Sequence, residues 1–312
     1  MPFFAPPAEE GKREGVYFLR HTIHLKSGRM HMNVRDALNW AEDILQAIPD
    51  PRLDAEYLLA ETLGMPRLNM LLDKRRELTP DETAAYEALI ERRQKREPLQ
   101  YILGSQSFMG FCFKTDPRAL IPRNDTEALC EEALRHIRPG SAALDLCTGT
   151  GALAIAIKKL CPGANVTASD ISRDALSLAR ENAEALKADV RFVCGDLFAP
   201  FAGEHFDVIV SNPPYIPESM GEQLQAEVKK EPVLALFAGR DGLDFYRRIA
   251  GEAPAHLRPG GYLCLEIGDG QGDGVRALLK SGFTDIQLLN DLNGLPRVVS
   301  GKKKDEQRGI QS

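Results

Sequence analysis

The tetrapeptide Asn212-Pro213-Pro214-Tyr215 carries the groups needed to hold a flat amide or amino nitrogen while a methyl group is transferred to it. An amide nitrogen is a poor nucleophile because its lone pair is delocalised into the carbonyl. Two acceptors aimed at the NH2 protons would align that lone pair and favour pyramidalisation, and the side-chain oxygen of Asn212 and the carbonyl of Pro213 can supply them. The two prolines fix φ and remove N–H donors, so the turn is stiff and presents acceptors only. Tyr215 offers an aromatic face for a planar group. No general base is required beforehand, since the proton can leave after transfer. Catalysis then rests on alignment, which contributes about 7–11 kcal/mol in favourable cases.

A second set of residues suits a nucleotide-like ligand. Leu144-Asp145-Leu146-Cys147-Thr148-Gly149-Thr150-Gly151 reads as a strand running into a glycine turn before a helix. Such a turn admits a ligand close to the backbone, and the helix start offers free N–H donors. Asp170 follows Gly151 by 19 residues, where an acid can accept from ribose hydroxyls. The carboxylate of Asp196, in Cys194-Gly195-Asp196-Leu197, could accept from an adenine amino group. Gly149, Gly151 and Ala154 would also pass as a degenerate dinucleotide motif. A hydride-transferring enzyme has no use for Asn-Pro-Pro-Tyr, whereas a nitrogen methyltransferase does.

The elements that must position these residues follow from periodicity. Val34, Leu38, Ala41, Leu45 and Ile48 line one helix face, stopped by Pro49 and Pro51. A second helix covers about 53–63. Thr79-Pro80-Asp81-Glu82 is a capping box opening a third. Its closing cations, Arg92, Arg93, Lys95 and Arg96, read as a solvated helix end that suits the dipole. Phe108, Phe111 and Phe113 among glycines mark a short hairpin. From Asp125 strands and helices alternate, with strands at 142–146, 166–169, 190–194, 206–211, 262–267, 285–289 and 297–299, which indicates a mostly parallel sheet covered on both faces. The expected domains are a disordered leader (1–32), a helical domain (33–98), a connector with a short hairpin (99–124), an α/β domain (125–301) and a charged tail (302–312). Met30 and Met32 compete with Met1 as the true start.

The 312 residues carry 43% hydrophobic and 27% charged side chains and a net charge of −6. That balance argues against affinity built on many phosphate contacts. Apolar runs are too short to span a bilayer. Six scattered cysteines, without a CxxC pair, and six unclustered histidines point away from disulfides and from a metal site, and towards a cytoplasmic setting.

Over residues 33–300 the chain resembles the release-factor glutamine methyltransferases. The resemblance rests on Arg52–Leu59, Pro98–Gly104, Phe108–Gly110, Leu120–Arg123 with Thr126-Glu127, Asn212–Tyr215, Glu231-Pro232, Asp241–Leu243, Gly260-Gly261 with Leu265–Gly268, and Pro296–Val299. It implies a seven-stranded Rossmann-like class I methyltransferase domain with an antiparallel final strand, preceded by a small all-α domain that recognises substrate. It also implies S-adenosylmethionine as methyl donor, class 1 peptide chain release factors as partners, and the glutamine N5 of their Gly-Gly-Gln motif as the acceptor. Cofactor contacts then fall on Cys147, Thr148, Gly149, Thr150, Gly151, Asp170, Asp196, Leu197 and Asn212. Catalytic contacts fall on Asn212, Pro213 and Tyr215; substrate contacts fall on Asn212, Pro213, Pro214 and Tyr215, with Arg123 and Glu231 supporting the pocket or forming a structural salt bridge. Two residues depart from the family pattern: Cys147 stands where a glycine is usual, and Asn124-Asp125 where Pro-Glu is frequent. A Cys at that turn must point away from the cofactor, or the turn must open. The rival readings are a nucleic-acid base methyltransferase, against which the acidic charge stands, and a non-catalytic protein-binding module, against which the intact Asn212 and Tyr215 stand.

Overall fold

A computed structural model describes residues 32–305, which divide into two units. The leader and the candidate starts Met1 and Met30 lie outside the described residues. Met32 does not belong to a leader: it is 2% exposed in the core of the helical unit, and its carbonyl accepts from Leu78 N.

The helical unit comprises 32–103 together with 225–228. Its helices are α1 (Val34–Ile44), α2 (Pro51–Thr62), α3 (Arg67–Leu72), α4 (Pro80–Gln94) and α5 (Leu99–Leu103). Asn33 caps α1 by accepting from Asp36 N at 3.0 Å, a bond whose loss costs about 1 kcal/mol. Both halves of the Thr79–Glu82 capping box are made. The apolar faces meet around Leu38, Leu58, Leu59, Tyr86 and Ile90, and the Tyr86 hydroxyl donates to Ala55 O.

One expectation is corrected here. Arg93 is not at a solvated helix end but fully buried. Its Nε donates to Asp54 Oδ2 at 2.6 Å, its Nη1 donates to Glu97 O, and its Nη2 lies 2.9 Å from Glu227 Oε1. Arg96 binds the other oxygen of Glu227. A buried guanidinium persists only where its donors are answered, and its planar fork suits two carboxylates.

The α/β unit comprises 104–224 and the described residues from 229. It opens with a hairpin, β1 (Ser105–Phe108) and β2 (Phe111–Lys114), followed by α6 (Thr126–His136). Then come β3 (Ala142–Leu146), α7 (Ala152–Leu160), β4 (Asn165–Asp170), α8 (Arg173–Leu186), β5 (Arg191–Cys194) and β6 (Phe206–Ser211). After a loop carrying only short 3-10 turns follow α9 (Asp244–His256), β7 (Leu257–Glu266), α10 (Gly272–Leu279), β8 (Phe283–Asn290) and β9 (Pro296–Lys303). The sheet has seven strands in the order β5-β4-β3-β6-β7-β9-β8, and β9 runs antiparallel to both its neighbours. The chain starts in mid-sheet at β3, steps outward to β5 and returns to β6 on the other side of β3. The crevice beyond the carboxyl ends of β3 and β6 is therefore the topological switch point, where such sheets bind ligands.

Lys302 and Lys303 do not belong to a charged tail. They lie in β9, paired with Tyr262 and Phe283 respectively, and the ladder overrides their polarity. Among the described residues no helix is long and apolar enough to cross a membrane.

Candidate active site

Register across the sheet puts the chemistry in one row. Leu146 pairs with Ser211, and Ser211 with Leu265. The next residue on each strand is thus Cys147, Asn212 or Glu266, side by side at the carboxyl edge. Ser211 Oγ donates to Leu146 O at 2.8 Å and locks two of these ends together.

The turn after β3 winds through left-handed backbone at Cys147 (φ 60°), Gly149 (φ 56°) and Gly151 (φ 80°). Glycine adopts this freely, whereas a side chain costs about 1–2 kcal/mol. Cys147 therefore accepts strain, and its thiol meets the Ser211 side chain. Asp145 underlies the turn: its buried carboxyl accepts from the Thr148 hydroxyl at 2.6 Å and from Ala154 N. Burial pushes this carboxyl up to about 7. Asn182 of α8 donates to Thr150 O and Lys114 O, tying the turn to β2.

A cavity opens above this edge, lined by Cys147, Gly149, Asp170, Asp196, Leu197, Asn212 and Pro214. Asp170 Oδ2 accepts from Gly149 N and Oδ1 from Ser172 N, both at 2.9 Å. Burial raises its pKa, against the three backbone N–H bonds that lower it. Asp196 accepts from Arg248 Nη2, which also lines the cavity, at 2.7 Å. Thr148, Thr150 and Gly151 shape the turn but do not line the cavity, and neither does Pro213. Tyr215 is also outside the lining: it is 8% exposed, with its hydroxyl 3.4 Å from Glu266 Oε1 and its carbonyl bound by Gln271. Arg123 and Glu231 form a buried ion pair, and Glu231 also accepts from Ile121 N. They brace the wall that carries Pro232 instead of lining it, and breaking such a pair costs about 3–5 kcal/mol.

Several lining residues carry no sequence signal, among them Arg118, Ala119, Ile171, Leu234, Phe245 and Arg248. They reach the cavity from segments far apart in the chain. Glu132, His136 and Cys264 bring ligand atoms within 4.8 Å of one another, but Glu132 is already engaged by Ser300, His136 and Arg135.

Two family models match the chain, the PrmC N-terminal domain over residues 36–104 and the methyltransferase small domain over 125–231. A release factor glutamine methyltransferase of Geobacter sulfurreducens is 45% identical over 273 residues, covering 86% of this chain and 96% of the relative. The chain belongs to the release factor glutamine methyltransferases. A second member, from Chlorobaculum tepidum, is 44% identical, covering 81% of this chain and 90% of its own. The crystal structure of a release factor-specific protein-(glutamine-N5) methyltransferase from Alicyclobacillus acidocaldarius is 33% identical, covering 62% of this chain and all of that one at a TM-score of 0.39.

The cavity fits the methyl donor of this family, S-adenosylmethionine. Gly149 puts bare backbone at the wall in a left-handed conformation (φ 56°), and Ala119 beside it adds only a methyl group. Three backbone N–H groups use three of the roughly four lone-pair sites of the Asp170 carboxylate, which leaves one for a ribose hydroxyl, and Ile171, Leu197 and Leu234 give apolar surfaces for a flat base.

Proposed function

We propose that this protein methylates the side-chain amide nitrogen (N5) of the glutamine in the Gly-Gly-Gln motif of peptide chain release factors, in the cytoplasm. The observation that carries the reading is the row of strand ends that sets Asn212 beside the Cys147 turn at the lip of one cavity. S-adenosylmethionine supplies the reaction with an electrophilic methyl group on a sulfonium. The protein's part is alignment. Asn212 Oδ1 and the Pro213 carbonyl accept from the two protons of the substrate NH2 and direct its lone pair. Pro213 and Pro214 hold that geometry because their φ angles are fixed. Tyr215, seated against Glu266, holds the turn from behind.

The related names support the release factor as partner, and the net charge of −6 agrees with a protein substrate better than with a nucleic acid. Incubation with label in the methyl group of the donor, offering a release factor and an RNA–DNA mixture together, tests this reading. Label is expected in the release factor. Label confined to nucleic acid would overturn the assignment.

A further inference from the structure

We propose that Thr126 and Glu266 are positioning residues that fix which end of the Asn212 carboxamide faces the substrate. Asn212 is useful only if its oxygen, not its NH2, points at the incoming amide, because a donor facing a donor repels. The two ends of a carboxamide have nearly the same shape, so packing alone selects poorly between them. Hydrogen bonding can.

Asn212 Nδ2 donates to Thr126 Oγ1 at 3.2 Å. Among the described residues no protein group donates to Asn212 Oδ1, which is left for the cavity it lines. Thr126 is 7% exposed at the start of α6. Its hydroxyl has one proton, and having accepted from Asn212 it can give that proton only to an acceptor such as Glu266, whose ionised form the Thr126 side chain favours and whose Oε2 has no other partner among the described residues. Glu266, 1% exposed at the end of β7, also receives the Tyr215 hydroxyl. Burial pushes the Glu266 carboxyl up to about 7, against the Thr126 and Tyr215 side chains and Arg297, which lower it; above that pH it is a carboxylate that only accepts, and the relay runs one way, from Asn212 through Thr126 to Glu266. Both ends of the Asn-Pro-Pro-Tyr turn are tied to this one acid. Arg297 and Asp125 also face Glu266, the first favouring its ionised form and the second opposing it, and the Tyr246 hydroxyl holds its backbone carbonyl.

The proposal rests on the methyl-transfer reading above, and the experiment separates the two. Wild-type enzyme, Thr126→Val, Thr126→Ser and Glu266→Gln are compared by steady-state methylation of a release factor, with thermal unfolding and calorimetric binding of S-adenosylmethionine as controls. Valine keeps the shape of Thr126 and leaves Nδ2 without an acceptor. Thr126→Val is expected to lower kcat by about 10²-fold with little change in KM, unfolding midpoint or cofactor affinity. Thr126→Ser restores kcat to within a few fold of wild type, and Glu266→Gln, which converts one acceptor into a donor, lowers kcat as Thr126→Val does. Wild-type kcat in Thr126→Val or in Glu266→Gln overturns the proposal, as does equal loss in the Ser and Val variants. An inactive wild type would instead count against the methyl-transfer reading itself.

Discussion

Replacing Arg93 by methionine removes the cation that faces Asp54 Oδ2 at 2.6 Å, Glu227 Oε1 at 2.9 Å and the Glu97 carbonyl at 3.0 Å, and leaves Glu227 with Arg96 alone. The methionine chain has nearly the reach of the arginine stem, so little volume is lost. What is lost is charge compensation. Asp54 is 1% exposed and Glu227 5%, and stripping a buried ion of its partner costs about 3–5 kcal/mol. A cation at a solvated helix end would cost under about 1 kcal/mol. The two alternatives are thus well separated. Trp40 is the chain's only tryptophan, and its ring meets Tyr86 edge-on at 6.0 Å in the core of the helical unit. Its fluorescence during urea titration reports this unit. With a slope near 1–2 kcal/mol/M, a loss of about 3 kcal/mol moves the midpoint down by about 1.5 M or more. Burial already raises the pKa of Asp54 with Arg93 present. Without the cation Asp54 takes up a proton more readily, so the penalty must shrink as pH falls from 7 towards 5. A loss under about 1 kcal/mol, or one that is independent of pH, would refute the reasoning.

Other consequences are equally direct. Asp145 has its pKa raised from the ordinary carboxylate range to about 7, so between those values the folded state holds a proton that the unfolded chain has lost. The stability it lends is complete below pH ~4 and falls by about 1.4 kcal/mol per unit as pH rises to ~7. Asp145→Asn should flatten that slope, measured by urea unfolding followed by circular dichroism at pH 5, 6 and 7; an unchanged slope contradicts the burial argument. Cys147→Gly relieves left-handed strain of about 1–2 kcal/mol at an entropic cost of about 0.5–1 kcal/mol. It should therefore keep or improve both stability and S-adenosylmethionine affinity, and a large loss in a calorimetric titration would show a separate role for the thiol. Asn212→Ala is expected to abolish methyl transfer with the unfolding free energy within about 1 kcal/mol of wild type, and retained turnover would remove Asn212 from the mechanism.

Much of the fold was legible because its signals are local. The strands at Ala142–Leu146 and Phe206–Ser211 and the helix at Ala152–Leu160 begin and end where apolar runs meet glycine, proline or a cap. The capping box at Thr79 is likewise readable from four residues. The residues that meet at the cavity were legible where they end or follow a strand, as Asp170 and Asn212 do. What escaped depends on pairings across long stretches of chain. Arg93 looked like one of four solvated cations because nothing near it in sequence announces Asp54, 39 residues away, or Glu227 beyond it. Thr126 and Asn212 are separated by 86 residues, and the flanking motifs that contain Thr126 and Glu266 gave no hint that they share a hydrogen-bond chain. Tyr215 was expected to offer its ring to the substrate. A tyrosine is equally able to bury the ring and spend its hydroxyl on a buried acid, and only the packing decides. The lysines at 302 and 303 were misread for a related reason: a strand paired in a sheet tolerates charge where the ammonium finds a partner, as Lys303 does in donating to Leu257 O.

The central claim is that this fold presents Asn212-Pro213-Pro214 to a glutamine amide of a release factor. The most direct measurement is peptide mass spectrometry of a purified release factor after reaction with S-adenosylmethionine and either wild-type protein or Asn212→Ala. The account predicts one added methyl group on the glutamine of the Gly-Gly-Gln motif with wild type and none with the variant. An unmodified glutamine with the wild-type protein, or a methyl group placed on a different residue, would contradict it.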